Sequence, residues 1–213
     1  REFLLYYYNK EAEWGEDLLV SYKWHHMVSG SALVDLELGR PNELTHHDWI
    51  TDTTVDAGSD WCYVSDAHYK DPINLVHYLI DNVSKNGYML LNVGPKPNGE
   101  IPEPAKNILL EMGDWLDLNG EAIYGTTPWM LYGEGPTKME DSGAFTEGEE
   151  IEFTSEDIRY TVKDDVLYAI SLGWPEDELV IKEGADRLYE SEISSIKMLG
   201  NDGELSWEKT DEG

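Results

Sequence analysis

The chain has 213 residues, enough for one large domain or two small ones with ample core. Its 44 acidic against 15 basic residues give a formal charge of −29. Such a surface repels nucleic acid and anionic lipid and excludes both as partners. A hydrophobic content of 40% with eight Trp and thirteen Tyr predicts a folded globular protein. No apolar run approaches the ~18 residues that a bilayer-spanning helix needs. The single cysteine, Cys62, excludes an intrachain disulfide.

In chain order, residues 1–8 are apolar and aromatic on one side and predict a helix packed on a sheet, with 9–17 as its end and a loop. Residues 18–23 and 32–37 are strand candidates. Only about eight residues separate them, too few for a full crossover helix, so parallel pairing would require a degenerate crossover. Residues 38–71 read as a long irregular region, and Trp49, Trp61, Tyr63 and Tyr69 mark it as functional. Residues 72–84 form an amphipathic helix with Ile73, Val76, Ile80 and Val83 along one face.

Lys85-Asn86-Gly87 closes that helix, because Asn and Gly accept positive φ. Residues 88–93 are mostly apolar and predict a strand buried on both faces. Gly94 to Gly99 must be loop. Pro104 suits the first turn of the next helix, whose apolar face carries Ile108, Leu109, Met112, Trp115 and Leu116, and Asn119-Gly120 caps it. This is a β–loop–α unit of a parallel α/β fold. After Trp129 the pattern changes to short strands at 150–154, 158–163, 166–172, 179–182 and 193–199, with Asp164-Asp165 turning a hairpin. These read as a β-sandwich, and the domain boundary falls near Pro128.

In a parallel barrel the functional groups gather where strands end and βα loops begin. The candidates are Lys23, Trp24, His25 and His26 after the first strand, Asp35 and Glu37 on the second, and Asn92. Glu37 ends an apolar strand and opens an aromatic loop, a setting that desolvates a carboxyl and raises its pKa toward general-acid duty. The alternative is an ordinary solvated loop glutamate. The adjacent pairs His25-His26 and His46-His47 point to opposite faces of a strand and cannot chelate jointly, so no metal is expected. Gly94 to Gly99 has neither phosphate-loop nor dinucleotide spacing, and no cofactor is expected.

The segment NGYMLLNVGPKPNGEIP followed by GDWLDLNGEAIYGTTPW resembles the last barrel strand and last helix of the α-L-fucosidases of glycoside hydrolase family 29. RYTVKDDVLYAISLGWP and IKMLGNDGELSWE resemble that family's C-terminal β-sandwich. The resemblance implies the C-terminal portion of a (β/α)8-like (TIM) barrel over residues 1–128 and an all-β sandwich over 129–213, both truncated. It also implies a retaining α-L-fucosidase that removes terminal α-L-fucose from oligosaccharides or glycoconjugates, in an extracellular or periplasmic setting. Asp35 to Gly39 resembles the family's segment around its acid/base glutamate, with Leu38 where an Arg is usual; Glu37 would take that role, with Glu43 as fallback. Trp61 would flank the sugar and Lys23 would stand where the family places a substrate-contacting Arg. No segment matches the family's nucleophile motif, so the nucleophile aspartate is expected outside these residues, and this stretch alone is expected to be inactive. The rival reading is a non-catalytic carbohydrate-binding or scaffold module with Trp49, Trp61 and Trp174 as platforms.

Overall fold

Helix α2 (Pro72–Ser84) lies where the sequence places it, and it joins the two halves of the molecule. The computed structural model describes residues 2–24, 26–58, 60–138, 142–147, 151–203 and 205–210. Four parallel strands form one sheet in the order β1 (Ser21–Lys23), β2 (Leu33–Asp35), β3 (Trp49–Thr54) and β4 (Gly87–Asn92). A second, antiparallel sheet has the order β5 (Thr127–Glu134), β6 (Ile158–Lys163) and β7 (Val166–Ser171). Helices α1 (Glu2–Trp14) and α3 (Glu103–Asn119) complete the regular elements with three short 3₁₀ turns.

Helix α2 begins at Asp71, whose side chain accepts the Ile73 N–H at 3.0 Å, and Pro72 fills the first turn, where no amide is needed. Val76 and Ile80 of the expected stripe are buried, but Ile73 is 47% exposed. Leu75, Tyr78, Asp81, Asn82 and Ser84 are buried in addition. The reason is that α2 meets β4 on one side and β5 and β6 on the other, so more than one stripe is covered. Its apolar residues join Val55, Ala105, Ile108, Met112, Ile123 and Leu172 in one core, with Phe153 and Ile170 packed against it. Burial of Leu75, Val76 or Ile80 stabilises by ~1.5–3 kcal/mol each. Asn86 then takes φ 72°, the left-handed turn its short polar side chain tolerates.

Strands β1 and β2 are parallel neighbours although the described residues between them, 24 and 26–32, carry no helix, so the crossover is degenerate there. Helix α1 ends at Trp14, within the stretch 9–17 expected to hold its end, and Lys10 pairs with Glu13 in its last turns. No described residue of α1 is buried, contrary to the expected packing on a sheet. It is tied instead by the Tyr7 hydroxyl to the Leu19 carbonyl (3.2 Å) and by Tyr8 to that of Ser31 (2.9 Å).

Strand β3 lies within the stretch expected to be irregular. Its sequence, WITDTT, has few apolar residues, yet it pairs with both β2 and β4. The buried positions Trp49, Thr51 and Thr53 alternate, and the threonines satisfy their hydroxyls: Thr51 donates to the Leu36 carbonyl (3.1 Å) and Thr53 to Glu147 (2.7 Å). Polar residues on the buried face hid the two-residue period. Gly87 lies opposite Trp49 in register, and a Cβ there would come within 2.2 Å of the indole ring.

Strand β4 is buried on one face only: Met89 and Leu91 pack on the core, whereas Tyr88 and Leu90 are 55% and 58% exposed. The four strands do not close on themselves, so the face bearing Tyr88 and Leu90 stays open. Helix α3 follows the expected pattern, with Pro104 in its first turn and Ile108 and Met112 buried. Its cap Gly120 is right-handed and leads into a 3₁₀ turn; the left-handed residue is Gly125.

In the second half the β6–β7 hairpin forms as expected, with Asp164 at φ 53°. Strand β5, not anticipated, crosses the expected boundary at Pro128. Residues 151–154, 179–182 and 193–199 are not strands, and Glu150 lies outside the described residues. At the ends of two of these stretches amides find side-chain acceptors: Lys182, with Gly184 beyond it, donates to the Glu134 carboxylate at 2.7 Å, and Thr154 donates to Asp157 at 2.8 Å.

Candidate active site

Register places the polar groups. Lys23 pairs with Asp35 and Asp35 with Ile50; Asp52 is two residues further along β3, so all share one face of the parallel sheet at its C-terminal end. The ladder continues past β2, with Leu36 N–H donating to the Ile50 carbonyl (2.8 Å) and Leu38 N–H to that of Asp52 (2.9 Å). Glu37 is thereby held level with Asp52. Lys23 Nζ donates to Glu37 Oε2 at 2.6 Å and to Asp52 Oδ2 at 3.0 Å, and lies 3.7 Å from Asp35 Oδ2.

One ammonium thus faces three carboxylates, leaving two negative charges in excess. Burial raises the Asp35 carboxyl, helped by the hydrogen bond and charge of Asp52 and opposed by Lys23, and it reaches about 6. Burial works to lower the Lys23 ammonium, but its bonds to Glu37 and Asp52 and the Asp35 charge outweigh it, and the net shift is upward. Asp35 Oδ1 and Asp52 Oδ1 are buried with no hydrogen-bond partner among the described residues.

Trp61 lies in the loop after β3 and is docked on the same edge of the sheet. Asn92 Nδ2, at the end of β4, donates to the Trp61 carbonyl (3.2 Å) and to Thr54 Oγ1 (3.3 Å). The loop packs so closely that a Cβ on Gly94 would come within 2.6 Å of the Cys62 carbonyl carbon. Glu43 is elsewhere. It is exposed in the segment leading into β3 and faces Tyr132, whose hydroxyl is pushed up by burial and then by the Glu43 charge. That is the N-terminal edge of the strands, so Glu43 does not join the cluster. Trp49 is fully buried, its Nε1 donating to the Lys85 carbonyl at 3.1 Å, and cannot be a ligand platform. His46 and His47 are exposed at the same N-terminal edge, and His25 lies outside the described residues. Among the described residues no group of three or more His, Cys, Asp or Glu could hold a metal; in the carboxylate cluster the space between the acids is filled by Lys23.

The sequence points to Lys23, Asp35 and Glu37 but not to Asp52, because the polar face of β3 conceals the strand. The density of β-branched residues in ITDTT, four of five, was the available signal. Nor does the sequence point to the segment from the second half that covers this corner. Phe145 N–H donates to the Glu37 carbonyl (2.7 Å) and Glu147 N–H to that of Leu38 (2.7 Å), while the Glu147 carboxylate pairs with Lys70 and Thr53.

Carboxylates gathered at the C-terminal ends of adjacent parallel strands, with a βα unit behind them, are the layout of the βα-barrel class. Comparison with known proteins makes this specific. The sequence profile described as alpha-L-fucosidase matches residues 1–121, and that described as the alpha-L-fucosidase C-terminal domain matches residues 151–213. The chain belongs to the alpha-L-fucosidase family. It is 32% identical over 212 residues to tissue alpha-L-fucosidase of Rattus norvegicus, covering 97% of this chain and 41% of the relative. To the tissue alpha-L-fucosidase of Homo sapiens it is 32% identical over 171 residues, covering 79% of this chain and 32% of the relative. The crystal structure of Thermotoga maritima alpha-fucosidase in complex with fucose superposes with a TM-score of 0.60 at 30% identity, covering 80% of this chain and 34% of that one. The chain therefore spans well under half the length of these relatives. The parallel sheet is the C-terminal portion of the family's barrel, and the antiparallel sheet belongs to its C-terminal sandwich domain.

Proposed function

We propose that the protein to which this chain belongs is a retaining α-L-fucosidase acting on terminal α-L-fucose of oligosaccharides or glycoconjugates, with residues 1–128 contributing part of the barrel and 129–213 the sandwich domain. The observation that carries this reading is the cluster of Glu37, Asp52 and Asp35 around Lys23, at the C-terminal ends of β1, β2 and β3 in a chain of this family. Glu37 is the acid/base: it protonates the leaving oxygen and then takes the proton of the attacking water. Lys23, 2.6 Å away, orients that carboxylate. Asp35, held near 6, keeps a proton within the cluster at mildly acidic pH and limits its accumulated charge. Trp61 flanks the sugar from the loop anchored by Asn92. The nucleophilic aspartate comes from residues outside this chain, as does the rest of the sugar pocket.

The test is hydrolysis of an aryl α-L-fucoside and a fucosylated disaccharide by the intact protein, with the first-formed anomer followed by NMR. α-L-Fucose as the initial product is expected. A β-product, or no turnover of either substrate, would overturn the reading.

A further inference from the structure

Two large aromatic side chains stand beside the charge cluster and have no part in it. Trp24 directly follows Lys23, and Phe145 comes from the second half of the chain. Their ring centroids are 5.7 Å apart with planes tilted by 32°, and they are 60% and 53% exposed. Both sit in left-handed backbone, at φ 57° and 59°. Bulky side chains rarely take that conformation, and it persists only where the surroundings enforce it. At Phe145 the enforcement is visible. Gly143 N–H donates to the Arg40 carbonyl (3.0 Å), Phe145 N–H to that of Glu37 (2.7 Å) and Glu147 N–H to that of Leu38 (2.7 Å). Residues 143–147 thus loop over 37–40, joined by one antiparallel bridge between Gly143 and Arg40 and clamped at the far end by the Glu147 pairing with Lys70 and Thr53. The backbone of the candidate acid/base residue is itself the anchor that sets Phe145.

We propose that Trp24 and Phe145 form the platform for the leaving-group sugar, the residue to which fucose is attached. This rests on the fucosidase reading. For Glu37 to protonate the glycosidic oxygen, that oxygen must come within ~2.6–3.2 Å of its carboxyl, so the leaving group occupies the space next to Glu37 at the sheet end. A pyranose presents an apolar C–H face there, and an exposed aromatic pair is the surface that such a face covers. The acids of the adjacent cluster, three against the one ammonium of Lys23, favour a neutral leaving sugar over a carboxylated or sulfated one.

The experiment compares kcat/KM of the intact protein on a neutral fucosylated disaccharide and on α-L-fucosyl fluoride, whose leaving group is one atom and cannot reach the platform. Phe145→Ala and Trp24→Ala should each lower the disaccharide-to-fluoride ratio of kcat/KM by roughly 3–10-fold, the range expected for losing one aromatic contact. Phe145→Tyr should restore it. Equal losses on the two substrates would mean that the pair only supports the fold or the fucose pocket, and would overturn the proposal, as would an unchanged ratio. If the unsubstituted protein turns over neither substrate, the fucosidase reading itself fails and the platform falls with it; activity with an unshifted ratio separates the two failures.

Discussion

Two clusters in this molecule set one charge against three of the opposite sign. On α2, Asp81 is fully buried and accepts Arg159 Nε at 2.7 Å and Lys85 Nζ at 2.8 Å, with Arg40 Nη1 3.4 Å away as a third cation. At the strand ends Lys23 faces Glu37, Asp52 and Asp35. Burial pushes the Asp81 carboxyl up, but the three cations override it and hold the group well below the usual carboxylate range. Its cations are packed in turn: Arg40 lies over the Tyr78 ring at 4.4 Å, and Arg159 contacts the rings of Tyr132 and Phe153. Because Arg159 is on β6 and Asp81 on α2, this centre fastens the second sheet to the first half. The Lys23 cluster has the reverse character: its lysine side chain is about a third exposed, and two carboxylate oxygens lack partners among the described residues. A centre whose charges are enclosed and balanced by ion pairs holds a fold. One that is open to solvent with acids in excess of its cation is suited to binding and proton transfer.

The contrast is broken most severely at Asp81. Asp81→Asn leaves Arg40, Lys85 and Arg159 buried without their anion, and should cost about 3–5 kcal/mol, a large part of the stability of an ordinary domain. Thermal and denaturant unfolding would read it. A change below about 1 kcal/mol would mean that the cations rearrange freely and the centre is not what fastens the halves.

At the open cluster the loss should be chemical. Glu37→Ala in the intact protein should lower kcat/KM on a fucosylated disaccharide by ~10²–10⁴-fold, and far less on an aryl fucoside with an activated leaving group. Azide should partly rescue the aryl reaction by replacing the base-activated water. Equal slowing of both substrates without rescue would make Glu37 structural. The melting temperature should scarcely move, in contrast to Asp81→Asn.

Gly87→Ala tests the packing that lies between the clusters. The added methyl would press on the buried Trp49 ring, and overpacking of this kind costs about 1–3 kcal/mol. A neutral substitution would show that β3 and β4 can separate at that point.

The smallest effect is one of pH. Asp35 titrates near 6 in the folded chain against 3.8 for the ordinary group, so the native state holds the extra proton. Its ionisation therefore destabilises the fold as pH rises through about 4 to 6; the penalty is absent below that window and complete above it. Asp35→Asn should accordingly be more stable than the native sequence by up to about 2 kcal/mol at pH 8, with the advantage shrinking toward pH 4. A difference that does not vary with pH would show that Asp35 is not held up by its burial.

The sequence alone determined those features whose cause is local. Helix α2 with Asp71 and Pro72 at its start, helix α3 with Pro104, the left-handed Asn86 and the β6–β7 hairpin each depend on residues within a few positions of one another. The placement of Lys23, Asp35 and Glu37 at strand ends was legible too, since it needs only the strand pattern and the rule for parallel sheets. The tertiary structure alone decided which apolar runs found partners. WITDTT became a central strand because its neighbours supply both ladders and acceptors for its threonines, whereas residues 179–182 and 193–199, despite their Val and Ile residues, form no strand pairing among the described residues. It decided that Asp52 joins Lys23 from 29 positions away and that Phe145 reaches Glu37 from the other half. Charge pairing and ladder formation across such separations depend on where the chain returns, and no short-range pattern of residues encodes that return.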